Sequence, residues 1–318
     1  MINDAGFTVL AHPSTLSIAK DHGVYILPKA SYATCSNASC LRVLQKPSLD
    51  ERRAADAIVN DDSAFTDSAY VFGEDVIKGL IEYFESNRPL NKEICAYGDF
   101  LTCLGSEAPP CGENFGKKMQ DFTITAVVLP RSNYYHIGTL TEYLDNLCSN
   151  TLFKKQLSIG PGTNIKIQSR FPRAVEFEGR CVIECCDFSN CESLIVGRDV
   201  ILWGCQSESE NILVPESVVM FTVSIKTPGD DELGYVTLCF GIEDNMKTGT
   251  KLFNKHEVGN LWQAKLFERA GSRSESFLKT LQNIPTPQVD KSFFSMEDVL
   301  QHKFIEDIMV FEGNMTSE

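Results

Sequence analysis

The chain is short of positive charge. Its 318 residues hold 29 Lys and Arg against 43 Asp and Glu, a formal net charge of -14. An acidic surface repels nucleic acid and anionic membranes, so neither is expected as a partner. A phosphorylated small molecule stays open, because one well-placed Lys outweighs a distant negative field. Long apolar runs are also missing. No stretch of eighteen or more apolar residues occurs, so no membrane-spanning helix is expected. The first ten residues carry neither a basic stretch nor a long apolar core and do not read as a signal peptide. There is no GxxxxGK[ST] loop, no GxGxxG turn and no GxSxG elbow. Paired C-x-x-C spacing is absent, so the tightest cysteine group, Cys181, Cys185, Cys186 and Cys191, has no zinc signature. The twelve cysteines are expected to be reduced, mostly buried thiols of a cytoplasmic protein.

The first half of the chain alternates strand-like and helix-like segments. Strands are expected at Phe7 to Ala11, Gly23 to Leu27, Leu41 to Leu44 and Asp67 to Phe72. A helix from about Glu74 to Ser86 puts Val76, Ile77, Leu80 and Tyr83 on one side. Gln120 to Leu129 is β-like, with Phe122, Ile124, Ala126 and Val128 at alternate positions. Gly138 and Thr139 then lead into a helix through Leu147. Such alternation points to an α/β domain with a mainly parallel sheet.

Near residue 157 the pattern changes. Apolar residues recur every six positions at Val182, Phe188, Leu194 and Val200, then Ile212 and Val218. The adjacent register repeats at Ile183, Ile195, Ile201, Leu213, Val219 and Ile225, and Gln206-Ser207 interrupts the series once. A hexad repeat is the mark of a left-handed parallel β-helix, each hexad making one wall of a triangular coil. Antiparallel strands in a sandwich are the alternative. The tail is mixed. A strand is expected at Tyr235 to Phe240, and helices at Gly259 to Ala270 and Ser295 to Phe311, the latter started by Ser295 with Asp298 three residues on. The expected domains are 1–156, 157–226 and 227–318.

Four segments carry candidate chemistry. Lys46 precedes Pro47 at the end of a strand, where open α/β sheets bind ligands, and offers a point charge suited to phosphate. In Tyr134-Tyr-His-Ile-Gly-Thr139, Gly138 permits close backbone approach, Thr139 caps a helix, and His136 stands before that helix's N-terminus. Glu93 and Asp99 are carboxylates close in sequence, able to hold Mg²⁺ or a sugar hydroxyl. His12 ends an apolar strand just before Pro13. Each has a plainer reading as well: an exposed Lys beside a turn, a helix cap, solvated acids and a rim histidine.

In this order the segments resemble the fucose-1-phosphate guanylyltransferase family. The likeness is carried by GFTVLAHPS at 6–14, HGVYIL at 22–27, LQKPS at 44–48, FTDSAYVF at 65–72, AYGDFL at 96–101 and VVLPRSNYYHIGTLTEYL at 127–144. It continues through SIGPGT at 158–163, TVSIK at 222–226, YVTLCFGIEDN at 235–245 and SMEDVLQHKFIEDIM at 295–309. The resemblance implies a nucleotidyltransferase-like α/β domain followed by the β-helix. It implies fucose 1-phosphate and GTP as substrates, GDP-fucose and pyrophosphate as products, and Mg²⁺ as cofactor. LQKP is similar to the superfamily's E-K-P motif, which implies that Lys46 contacts the sugar 1-phosphate. TDSAYVF looks like its sugar-contacting N-[AS]-G segment, here Thr66, Asp67 and Ser68. YYHIGT looks like its W-x-D-x-G-T motif, with His136 where the metal-binding Asp stands. On this basis His136 and Asp99 are the catalytic candidates. The substrate-binding candidates are His12, Lys46, Thr66, Asp67, Ser68, Glu93, Gly138 and Thr139. The superfamily's G-G-x-[GS]-x-R loop has no counterpart in this sequence, which reads as a shortened form. A non-catalytic regulatory or assembly module of the same family is the alternative. A β-helix acyltransferase would need a catalytic His on a coil, and none occurs between residues 137 and 255.

Overall fold

The computed structural model describes residues 6–33, 36–90, 92–112, 114–229 and 232–316. These fall into two compact units, Met1–Tyr134 and Tyr135–Glu318.

In chain order the first unit contains β1 (Gly6–Thr15), α1 (Leu16–Ala19), β2 (Gly23–Ile26), β3 (Ser36–Ser39), β4 (Arg42–Gln45) and α2 (Leu49–Ala54). It continues with β5 (Ser63–Thr66), β6 (Tyr70–Phe72), α3 (Glu74–Asn87), α4 (Gly98–Leu101), α5 (Asn114–Met119) and β7 (Thr123–Val128). One seven-stranded sheet runs β3-β7-β1-β5-β2-β4, with β6 also on β1. β1 and β7 are parallel. The remaining pairs, β1 with β5 and β6, β2 with β4 and β5, and β3 with β7, are antiparallel. The alternating pattern suggested more parallel pairing than this. The reason is that β2 and β4 are joined without a crossover helix of the length that parallel neighbours need.

Phe7, Val9 and Ala11 of β1 are fully buried with Ile124, Ala126 and Val128 of β7, as the period-two pattern requires. Helix α3 opens with Glu74 and Asp75, favourable charges at a helix N-terminus. It buries Val76, whereas Ile77 is 45% exposed, against the expectation that both face the core. The two are one residue apart, about 100° around the helix, so a narrow packing stripe takes only one of them.

Three local expectations change. First, β1 does not stop at His12 but runs through Pro13 to Thr15. Beyond Ala11 it pairs with β5 alone, so the missing N–H of Pro13 costs no ladder bond on the other side. Second, the strand expected over Asp67 to Phe72 is split. β5 ends at Thr66 and β6 begins at Tyr70, leaving Asp67, Ser68 and Ala69 in an irregular step. Third, Cys103 and Cys111 form a disulfide rather than remaining reduced. Their Cα atoms are 6.2 Å apart, brought together as the chain doubles back. The free cysteines among the described residues are buried apart from Cys95.

The second unit contains α6 (Leu140–Cys148) and α7 (Leu152–Gln156), then eight strands and, after them, a short antiparallel pair, Lys251–Leu252 with His256–Glu257. The eight are β8 (Asn164–Ile167), β9 (Ala174–Phe177), β10 (Cys181–Glu184), β11 (Ser193–Val196), β12 (Val200–Trp203), β13 (Asn211–Val214), β14 (Val218–Ile225) and β15 (Gly234–Gly241). Helices α8 (Arg273–Asn283), α9 (Met296–His302) and α10 (Ile305–Thr316) close the chain. β8, β10, β12 and β14 stack in parallel, and so do β9, β11 and β13. The parallel bridges Arg170 to Asp187 and Asp187 to Gln206 mark a third wall. The hexad repeat therefore builds a three-walled β-solenoid, and the sandwich alternative is excluded. Val182, Phe188, Leu194, Val200, Ile212 and Val218 are all buried. In the second register Leu213 departs, at 62% exposure, because its neighbours Ile212 and Val214 fill the interior from the same wall. At the interruption, Cys205 and Ser207 bury in place of an aliphatic side chain. A Cβ on Gly197 would lie 2.6 Å from the Glu216 backbone nitrogen of the next coil, so that corner admits only glycine.

β15 turns back antiparallel on β14 and caps the stack. The helix expected over Gly259 to Ala270 does not form. Leu261, Ala264, Leu266 and Phe267 are buried from an irregular segment, whose backbone pairs Phe267 with Phe294 and Ala270 with Tyr235. Their helix-like spacing is a property of the burial, not of the backbone. The helix expected over Ser295 to Phe311 starts with the anticipated Ser295–Asp298 capping box but breaks after His302. There the His302 carbonyl accepts from Lys226 N–H, and Phe304 N–H donates to the Ser224 carbonyl. Tertiary bonds thus take groups a continuous helix would use.

Candidate substrate-binding site

The antiparallel pairing of β2 with β4 sets Gly23 opposite Gln45. The start of β2 and the end of β4 therefore lie together. Lys46, one step past β4, is exposed and holds a left-handed φ of 47°. Its N–H donates to the His22 carbonyl at 3.0 Å. β5 ends beside them. Asp67 N–H donates to the Gly23 carbonyl at 3.0 Å, and the Asp67 side chain is buried, 3.7 Å from Nδ1 of His22. Glycine at position 23 is a steric requirement: a Cβ there would collide with the Asp67 carboxylate.

Thr66 pairs with His12 across β1 and β5. It is fully buried, and its hydroxyl lies 2.5 Å from that of Ser14. Thr66 is thus committed to the sheet interior. His12 Nδ1 lies 2.6 Å from the Ser132 hydroxyl, and burial lowers its pKa below the ordinary histidine value. Tyr134 faces both histidines, with ring centroids 6.1 Å from His12 and 5.2 Å from His22. The Ser68 carbonyl accepts from the Tyr97 hydroxyl at 3.2 Å, while the Ser68 hydroxyl is buried without a partner. The Gln45 side-chain oxygen and the Tyr25 hydroxyl are buried and unpartnered as well. Burial first, then the Asp67 charge, pushes the Tyr25 phenol well above its ordinary pKa. Unsatisfied buried polar atoms are costly, and a cluster of them beside a carboxylate suits a ligand rich in hydroxyls.

The two remaining first-unit candidates have other surroundings. Asp99 accepts the Cys95 N–H at 2.6 Å and so closes the turn from which Tyr97 reaches Ser68. Glu93 is exposed.

In the second unit, Thr139 and Glu142 form a capping box at the start of α6. Nδ1 of His136 lies 2.9 Å from the Glu142 carboxylate, which also accepts from Gly138 and Thr139 N–H at 3.1 and 3.0 Å. Burial works to raise the Glu142 pKa, but the bonds from His136 and Thr139 outweigh it and hold the carboxyl below its ordinary value. A Cβ on Gly138 would strike the His136 ring. His136 is therefore tied to a carboxylate and packed on glycine, an arrangement that orders the turn.

Sequence reasoning missed His22, Gln45, Tyr97 and Tyr134. All four lie inside the quoted motifs, and the signal that would have singled out His22 and Gln45 is the antiparallel register.

The sequence matches the model of the fucose pyrophosphorylase domain over residues 1–288. It is 26% identical over 410 residues to a Homo sapiens protein named fucose-1-phosphate guanylyltransferase, covering 98% of this chain and 66% of that relative. It is 24% identical over 407 residues to the Mus musculus protein of the same name, covering 98% of this chain and 68% of the relative. The chain thus spans about two thirds of the length of the relatives it matches.

Proposed function

The chain belongs to the fucose pyrophosphorylase family, and from that premise we propose that it acts in forming GDP-fucose from fucose 1-phosphate and GTP. In this reading an oxygen of the sugar phosphate attacks the α-phosphorus of GTP. The bond from that phosphorus to the β-phosphate oxygen breaks, and pyrophosphate leaves. Phosphoryl and nucleotidyl transfer depend on positioning and charge neutralisation more than on covalent work by the protein.

The observation that supports the reading is the convergence of Lys46, His22 and Asp67 at one end of one sheet. Lys46 supplies the positive charge for the 1-phosphate. Asp67 accepts from sugar hydroxyls, and Ser68, Gln45 and Tyr25 offer the further polar atoms that such a ring would satisfy. His136 and Asp99, the candidates for catalysis, are in this reading positioning residues that order the turns at 134–139 and 95–99.

Mg²⁺ is the metal such chemistry calls for. Among the described residues no group of three or more His, Cys, Asp or Glu is placed to hold an ion. The residues present do not make a metal cage, so no ligand is assigned and no step is routed through the ion. Among them, too, no helix is long and apolar enough to cross a membrane.

The test is pyrophosphate release from GTP, followed with and without fucose 1-phosphate. Release that requires both substrates supports the enzyme. Tight fucose 1-phosphate binding with no release supports instead a binding module of the same family. Failure to bind the sugar phosphate rejects both.

A further inference from the structure

A cavity of about 400 Å³ lies within the first unit between β4, α2 and the segment from Thr102 to Pro109. Its walls are largely apolar: Val43, Leu44, Pro47, Ala54, Ala55 and Pro109, joined by Gln45, whose buried side-chain oxygen has no partner. Glu51 lies at the cavity but is already engaged, its carboxylate accepting the Ser48 N–H and hydroxyl at 2.8 Å each in the α2 capping box. Thr102 is engaged too, its hydroxyl donating to the Gly98 carbonyl. Arg42 is the basic residue of this lining. Its Nε is buried with no hydrogen-bond partner, and among the described residues no carboxylate pairs with its guanidinium.

This is an odd place for a cation to be alone. The protein carries 43 acidic residues, and among its buried or part-buried arginines Arg180 pairs with Asp145 and Asp199, Arg273 with Asp307 and Arg170 with Asp187, while Arg52 donates to the Ser48 and Leu16 carbonyls. A guanidinium with a desolvated N–H is costly until an acceptor arrives, and its planar fork is matched by the oxygens of a carboxylate or phosphate. A volume of this size, largely apolar-walled with one convergent cation, has the form of a small-molecule site.

The geometry points to an oxyanion site at Arg42: the cavity takes a small ligand carrying a phosphate or carboxylate on a compact, weakly polar body. The inference stands apart from the role given to Lys46. Lys46 does not line this cavity, although its neighbour Gln45 does, and Arg42 stands at the other end of β4.

Binding of inorganic phosphate, acetate and benzoate by the whole chain, measured calorimetrically in an anion-poor buffer, tests it. Wild type binds at least one of the three. Arg42→Gln weakens that binding about tenfold, the worth of a charged hydrogen bond. Lys20→Gln, at an exposed lysine outside the cavity, leaves it unchanged. Ala54→Leu, an exposed wall position, blocks it by filling the cavity without touching Arg42. Preference for phosphate identifies a phosphorylated ligand, and preference for benzoate an apolar carboxylate. Without anion, Arg42→Gln melts no lower than wild type, because the empty cavity offers the guanidinium no partner to lose. The inference is overturned if none of the three anions binds or if Arg42→Gln binds equally well. It is also overturned if Lys20→Gln rather than Arg42→Gln abolishes binding, or if Arg42→Gln alone melts several degrees lower. Loss of fucose 1-phosphate binding with this anion site intact would count against the proposed function and not against this one.

Discussion

The N–H of Lys46 donates to the His22 carbonyl at 3.0 Å, and that one bond closes the left-handed step that carries the lysine past the end of β4. It ties a candidate phosphate ligand to the residue whose ring approaches Asp67. Together with the bond from Asp67 N–H to the Gly23 carbonyl it joins three strand ends.

Lys46 pays a conformational cost for its place, since a non-glycine residue in the left-handed region is disfavoured by about 1 kcal/mol. Lys46→Gly is expected to leave thermal stability unchanged or raised by up to about that amount, while fucose 1-phosphate affinity falls. Differential scanning calorimetry paired with titration checks the split. A variant that loses both together would mean that the side chain holds the fold.

Gly23→Ala pushes a methyl group into the Asp67 carboxylate. Overpacking of this kind costs about 1–3 kcal/mol and displaces Asp67. Denaturant unfolding should show that loss, and sugar-phosphate affinity should fall further than in a variant of equal stability mutated elsewhere. Equal affinity in the two would remove Asp67 from the site.

Burial lowers the His12 pKa, so the folded protein binds that proton less readily than the unfolded chain. The resulting stability is fully present above the unfolded histidine value of about 6.5 and is lost as the pH falls from there toward the folded value. Melting temperatures at about pH 7.5 and 5.5 should differ more in wild type than in His12→Asn. Identical pH dependence in the two proteins would show that His12 is not held neutral.

The solenoid gives a sharper contrast. Leu194 is fully buried and Leu213 is 62% exposed, although both fall on the hexad repeat. Leu194→Ala should cost about 2–5 kcal/mol and Leu213→Ala less than about 0.5 kcal/mol by denaturant unfolding. Comparable losses would mean that the coil register is wrong.

These contrasts also show what the sequence made legible. A hexad period reports which residues stack, so the β-solenoid could be read directly from Val182 to Val218. It does not report which of two adjacent apolar residues faces inward, and Leu213 was misplaced for that reason. In the first unit, strand positions were readable from alternation, yet pairing direction is a long-range property. A parallel reading places the start of β2 and the end of β4 at opposite ends of the sheet. Antiparallel pairing of Gly23 with Gln45 brings them together, which is why Lys46 was noticed and His22 was not. The helix α8 was missed although Ser272 and Glu275 bear a usable start signal: the Ser272 hydroxyl accepts the Glu275 N–H. The irregular segment at 259–270 mimicked a helix because its buried residues happen to fall three and four apart.

The central claim is that Lys46 meets the phosphate of a sugar 1-phosphate at this sheet end. Isothermal titration of fucose 1-phosphate into wild type and Lys46→Ala tests it most directly. The account predicts binding by wild type, weakening by roughly tenfold or more in the variant, and equal melting temperatures for the two unliganded proteins. Equal affinity in both would contradict it.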